Sequence, residues 1–182
     1  MYRRCILLLS LAACQAKDAP PPVPRAIEAR DGSGALVASL VPGRPCKVSI
    51  GLGGALAMDV TGPPLAAEVA GVHWTGDHRD NGTTLARAGA MVARVYGHDS
   101  TLSLFDPAGV PIVRLDERGG AVEVSDAGRR LLRHVTRKAD AFTVDSPALT
   151  VTGTGDAELV ALLVSPELQP ELRMLAACER VL

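Results

Sequence analysis

Residues 71–82, Gly71-Val72-His73-Trp74-Thr75-Gly76-Asp77-His78-Arg79-Asp80-Asn81-Gly82, hold the chain's densest group of chemistry-bearing side chains. Two of its four histidines and its one tryptophan fall there. A catalytic zinc takes three protein ligands and leaves one position open for water. His73, Asp77 and His78 supply three ligand types, and the enzyme they would serve is a metal-dependent hydrolase working from the His73–Asp80 loop. Their spacing follows no established zinc pattern. The plainer expectation is a polar hairpin loop turned by Asn81-Gly82, with Trp74 covering an edge of the core. Neither a catalytic residue nor a metal or other cofactor is expected.

Other chemistry finds less support. A Gly-x-Ser-x-Gly elbow is missing, and Ser103, Ser125 and Ser146 sit in strand or turn patterns without an adjacent base. Gly51-Leu52-Gly53-Gly54 lacks the Lys-Ser/Thr that completes a phosphate loop, so it reads as a bend. Asp106 and Asp126 would need more oxygens around them to hold calcium. Aromatics are scarce, at 3% of residues, which removes the stacked rings that single-stranded nucleic acid uses. The formal charge of −1 also argues against a nucleic-acid partner.

The elements that would position these residues are short strands. Ala35–Val41, Lys47–Ile50, Ala55–Val60, Leu65–His73, Met91–Tyr96 and Thr101–Phe105 are apolar or alternating runs bounded by Gly, Pro, Asp or Asn. That rhythm predicts a mainly β domain, an antiparallel sandwich or barrel of short hairpins. A weak repeat supports it. Leu104-Phe105-Asp106-Pro107-Ala108-Gly109-Val110 matches Val124-Ser125-Asp126-Ala127-Gly128-Arg129 with one turn residue deleted, and Asp31-Gly32-Ser33-Gly34 is a poorer third copy. Asp accepts backbone N–H groups in such turns and Gly takes positive φ, so each copy predicts a hairpin.

The C-terminus changes period. Asp156 is a candidate cap for a helix through Leu159–Val164, apolar nearly all round and so expected to be buried. Pro166 breaks it. Glu167–Arg180 predicts a second helix with Pro170 in its first turn and a leucine stripe facing the core.

Four cysteines divide by position. Cys46 and Cys178 are expected to pair, stapling the start of the domain to its last helix; two buried free thiols are the alternative.

The N-terminus sets the expected address. Tyr2-Arg3-Arg4 is basic, Cys5–Leu11 is apolar, and Leu11-Ala12-Ala13-Cys14 resembles the lipobox of bacterial lipoproteins. The resemblance implies a signal peptide over 1–13, lipidation of Cys14 and a bilayer partner through the acyl chains. Gln15 after the cysteine implies, in that family, the outer membrane facing the periplasm rather than the inner membrane. Losing Arg3 and Arg4 with the leader takes the charge from −1 to −3, since every acidic residue lies beyond Cys14. Residues 14–30, with Ala19-Pro20-Pro21-Pro22-Val23-Pro24, read as a Pro-rich tether, and 31–182 as a single domain. Asp–Gly hairpins followed by a greasy C-terminal helix are similar in pattern to the tubby-like barrels, which enclose a helix. The expected function is that of a membrane-anchored envelope lipoprotein with a non-catalytic binding or scaffolding role toward an envelope protein. An apolar-ligand carrier with its ligand inside a barrel is the other alternative to the hydrolase.

Overall fold

The computed structural model describes residues 25–182 apart from Asn81. The lipobox-like residues, Cys14, residues 15–24 of the expected tether and the Asn81 half of the expected turn lie outside the described residues. Fourteen strands come first in the chain: β1 (Ile27–Asp31), β2 (Leu36–Val41), β3 (Cys46–Ile50), β4 (Leu56–Val60), β5 (Leu65–Val69), β6 (Val72–Arg79), β7 (Gly82–Arg87), β8 (Ala90–His98), β9 (Thr101–Phe105), β10 (Pro111–Arg118), β11 (Ala121–Asp126), β12 (Leu131–Lys138), β13 (Ala141–Asp145) and β14 (Ala148–Thr152). Two helices follow, α1 (Ala157–Val164) and α2 (Pro170–Glu179). The chain is therefore mainly β with two C-terminal helices. β1 begins at Ile27, inside the segment read as tether, because Ile27 and Ala29 alternate inward and are buried.

All pairings are antiparallel and join strands adjacent in sequence, except that β1 pairs with β14. The spatial order runs from β4 back through β1, across to β14, and down to β5. β4 and β5 end that order, and a single bridge, Thr61↔Ala66, links them. The sheet is a nearly closed barrel with one seam, not a sandwich. Alternation explains the strands. In β10, Val113 and Leu115 are buried, while Arg114 and Asp116 lie on the outer face and pair at 2.8 Å.

The helices fill the inside. Every residue of α1 from Glu158 to Val164 is buried, against β2 on one side and β10, β11 and β12 on the other. Asp156 caps it as expected, accepting the Leu159 N–H at 2.6 Å. Glu158 is buried within α1, and burial pushes its carboxyl up despite the Arg180 guanidinium 2.9 Å away. The last carbonyls of α1 are taken by Ser165 Oγ, which donates to Ala161 O at 2.6 Å, and by Arg133 from β12, which donates to Val164 O at 3.1 Å. α2 starts at Pro170, three residues later than the sequence pattern indicates, because Pro170 fits the first helical position and Gln169 stays extended. Cys46 of β3 and Cys178 of α2 form a disulfide, both fully buried.

The repeat consists of three copies of one turn. Asp31, Asp106 and Asp126 each donate their N–H to the carbonyl four residues on and accept an N–H from three residues on. Their Oδ1 atoms accept the N–H of Ala35, Val110 and Arg130 at 3.0, 2.8 and 2.9 Å. The turns are equal in length, so the expected deletion is absent. Arg129, at φ 61°, stands where Gly109 has φ 82°. Leu65–His73 is two strands rather than one, split by a two-residue turn at Ala70-Gly71.

Candidate functional site

The seam opens into a cleft. Thr61-Gly62-Pro63-Pro64 turns the chain from β4 to β5, and Thr61 Oγ1 donates to Ala66 O at 3.1 Å. The end of α2 approaches this turn. A cleft of about 540 Å³ results, between Pro63, Pro64 and Leu65 on one side and His78, Thr83 and Glu179 on the other. Gly76 of β6 lies at its floor. A Cβ there would come within 2.8 Å of Leu65 Cδ1, so the glycine is what lets Leu65 pack across the strand.

Three polar side chains meet across separate elements. Thr83 Oγ1 of β7 donates to Glu179 Oε1 of α2 at 2.9 Å. His78 Nδ1 of β6 lies 3.0 Å from the same hydroxyl and 3.5 Å from Glu179 Oε1. With its one proton given to the carboxylate, the hydroxyl accepts from His78, which fixes Nδ1 as the protonated nitrogen. That polarity is the reverse of a nucleophile and its base, where the imidazole must take the hydroxyl proton. The trio is arranged to hold a shape. Thr83 is only 3% exposed, whereas the His78 side chain is 61% exposed and available to a partner at the rim.

The residues singled out for a metal are not gathered. The expected His73–Asp80 loop is mostly strand β6, because Trp74 and Gly76 supply the inward alternation that the polar residues between them mask. His73 and Asp77 share the outer face, four residues apart, which is about 13 Å along a strand. His73 Nε2 faces Glu68 of the neighbouring β5 at 3.9 Å, and Asp77 pairs with Arg79 at 2.8 Å. His78 has the opposite parity and joins the cleft. Among the described residues no group of three His, Cys, Asp or Glu side chains is placed to hold a metal. The aspartates Asp106 and Asp126 are spent on their own turns; the N–H of Arg130 and other local donors hold the Asp126 carboxyl below its usual range, with burial opposing. Trp74 is buried as expected, with Arg87 stacked 5.7 Å from its ring.

Thr83 and Glu179 were not visible as site residues in the sequence. The available signal for Glu179 was its position beside Cys178, which the staple fixes. Arg133 was also missed, although it occupies the same strand parity as buried Val135. The apolar side chains of α1 and α2 are part of the same buried cluster as the inward side chains of the strands. No family model, curated protein or solved structure matches the chain. Among the described residues no helix is long and apolar enough to cross a membrane.

Proposed function

We propose that the protein is an envelope lipoprotein, moored through acylated Cys14, whose barrel has a non-catalytic binding or scaffolding role at the periplasmic face of the outer membrane. The observation that carries the reading is the buried Cys46–Cys178 disulfide. A bridge between two fully enclosed cysteines fits a compartment that oxidises thiols and keeps them oxidised. The signal-like N-terminus and the Leu11-Ala12-Ala13-Cys14 motif supply an address of the same kind. The seam cleft supports a binding role: its polar trio is hydrogen-bonded within itself, its Pro63-Pro64 rim is stiff, and its exposed imidazole offers a contact. Metabolic labelling with a clickable fatty acid tests the anchor. Cys14→Ala is expected to abolish the label and leave unprocessed precursor. Label persisting on the variant overturns the anchor.

A further inference from the structure

A second pocket, remote from the seam, combines an apolar wall with an unsatisfied cation. It opens where β2, the bend after β3 and the end of α1 meet, and encloses about 330 Å³. Val37, Ile50, Leu52, Leu149, Leu163 and Val164 make its apolar surface. Two charged residues line it, Asp31 and Arg173. Asp31 is committed elsewhere: its Oδ1 accepts from the N–H and hydroxyl of Ser33 and from the Ala35 N–H.

Arg173 is different. It projects from α2, its Nε is buried, and among the described residues that atom has no hydrogen-bond partner and the side chain no ion pair. Behind the Val164 wall stands Arg133, 4% exposed, whose guanidinium donates to Val164 O and to the Glu167 carboxylate. Glu167 faces both guanidiniums, and Asp145 also acts on Arg133. Burial, then repulsion from Arg133, pulls the Arg173 guanidinium below its usual value, with Glu167 opposing. Arg133 Nε is orphaned in the same way. What sets Arg173 apart is that it lines the pocket with no hydrogen bond or ion pair of its own among the described residues, and a charge-assisted bond from its guanidinium to an anion would supply one. Asp31 also brings a negative charge to the lining, but its Oδ1 is taken by local donors; Arg173 is the charged side chain there without a partner among the described residues, and the walls around it are hydrocarbon.

We propose that this pocket binds an acyl monocarboxylate, its carboxylate on Arg173 and its chain against Val37, Ile50 and Leu163. The proposal rests on the binding reading above but not on the anchor. Decanoate can bind while Cys14 labelling fails, and the reverse, so the two results separate.

Isothermal titration of the full chain with sodium decanoate, kept below its aggregation concentration, tests it. One site is expected. Affinity should fall roughly fourfold for each methylene removed from the chain. Decanol should bind at least tenfold more weakly than decanoate, and acetate should give no measurable heat. Arg173→Met should cost decanoate at least tenfold and leave decanol unchanged. Equal affinity for decanoate and decanol, undiminished decanoate binding by Arg173→Met, or no decanoate binding by the native chain overturns the proposal. If Arg173→Met does not fold, Leu52→Glu replaces it. Leu52 is 71% exposed at the pocket mouth, so the fold should tolerate the change. The new carboxylate should weaken decanoate at least fivefold; an unchanged affinity overturns the proposal as well.

Discussion

Thr83 joins β6, β7 and α2 through one hydroxyl, so its removal tests whether the cleft is held by that group. Thr83→Val keeps the shape and deletes the proton that Glu179 accepts. A loss of about 1 kcal/mol in urea unfolding is expected, and no loss shows that water replaces the hydroxyl without cost. Asp116 allows a pH test at the same scale. The Arg114 guanidinium, through its hydrogen bonds, holds this carboxyl below its ordinary value of 3.8, with Thr101 adding a bond and burial opposing. A depressed folded value means that the folded state favours the ionised form. The stabilisation is therefore full above 3.8 and is lost as pH falls from there through the folded value. Asp116→Asn should be less stable than the native chain at pH 7, and the gap should close toward pH 2. A gap that stays constant across that range would show that Asp116 does not titrate as argued.

At the scale of the element, α1 is the part most exposed to small changes in volume. Leu162 is fully buried in a helix with no outward face. Leu162→Ala is expected to cost about 3 kcal/mol, read from the fluorescence of Trp74, the chain's one tryptophan, which is buried in the fold and wet when unfolded. This helix was legible because an apolar run with no polar stripe has few places to go. The Asp turns were legible for a comparable reason, since the side chain that signals each turn also makes its hydrogen bonds. Turns built on two residues were harder to see. At Ala70-Gly71 and Ala88-Gly89 an alanine sits at φ 50° and 48°, and nothing in its side chain announces a left-handed backbone. The Val72–Arg79 strand was hidden by its own exposure, because one face of a barrel strand is polar and this one carries His, Thr and Asp there. Arg133 puts a cation on the inward face of β12 and is explained by the helix end it caps, 31 residues away, and by the Glu167 carboxylate beyond it.

At the scale of the whole molecule, two long-range pairings hold the ring; the division of the cysteines pointed to one of them, and local pattern gave no sign of the other. The β1–β14 ladder sets Glu28 opposite Thr152, and the Cys46–Cys178 bridge spans 132 residues. Such a bridge acts mostly by limiting the unfolded chain, and a loop of this length gives on the order of 5 kcal/mol as an upper figure. Its position adds a local effect. Cys46 lies on β3, the neighbour of the seam strand β4, and Cys178 lies on α2, whose end forms one wall of the cleft. β4 has a full ladder on one side only, with the Thr61↔Ala66 bridge on the other, so α2 packing and the disulfide carry more of its order than they do for β10–β12. Cys46→Ala/Cys178→Ala should therefore do two things. It should lower global stability, by at most about 5 kcal/mol. Under native conditions it should also speed amide hydrogen exchange in β3, β4 and α2 before it does so in β10, β11 and β12. Uniform acceleration would mean that the bridge acts only on the unfolded chain, and that the seam is already held by its strands.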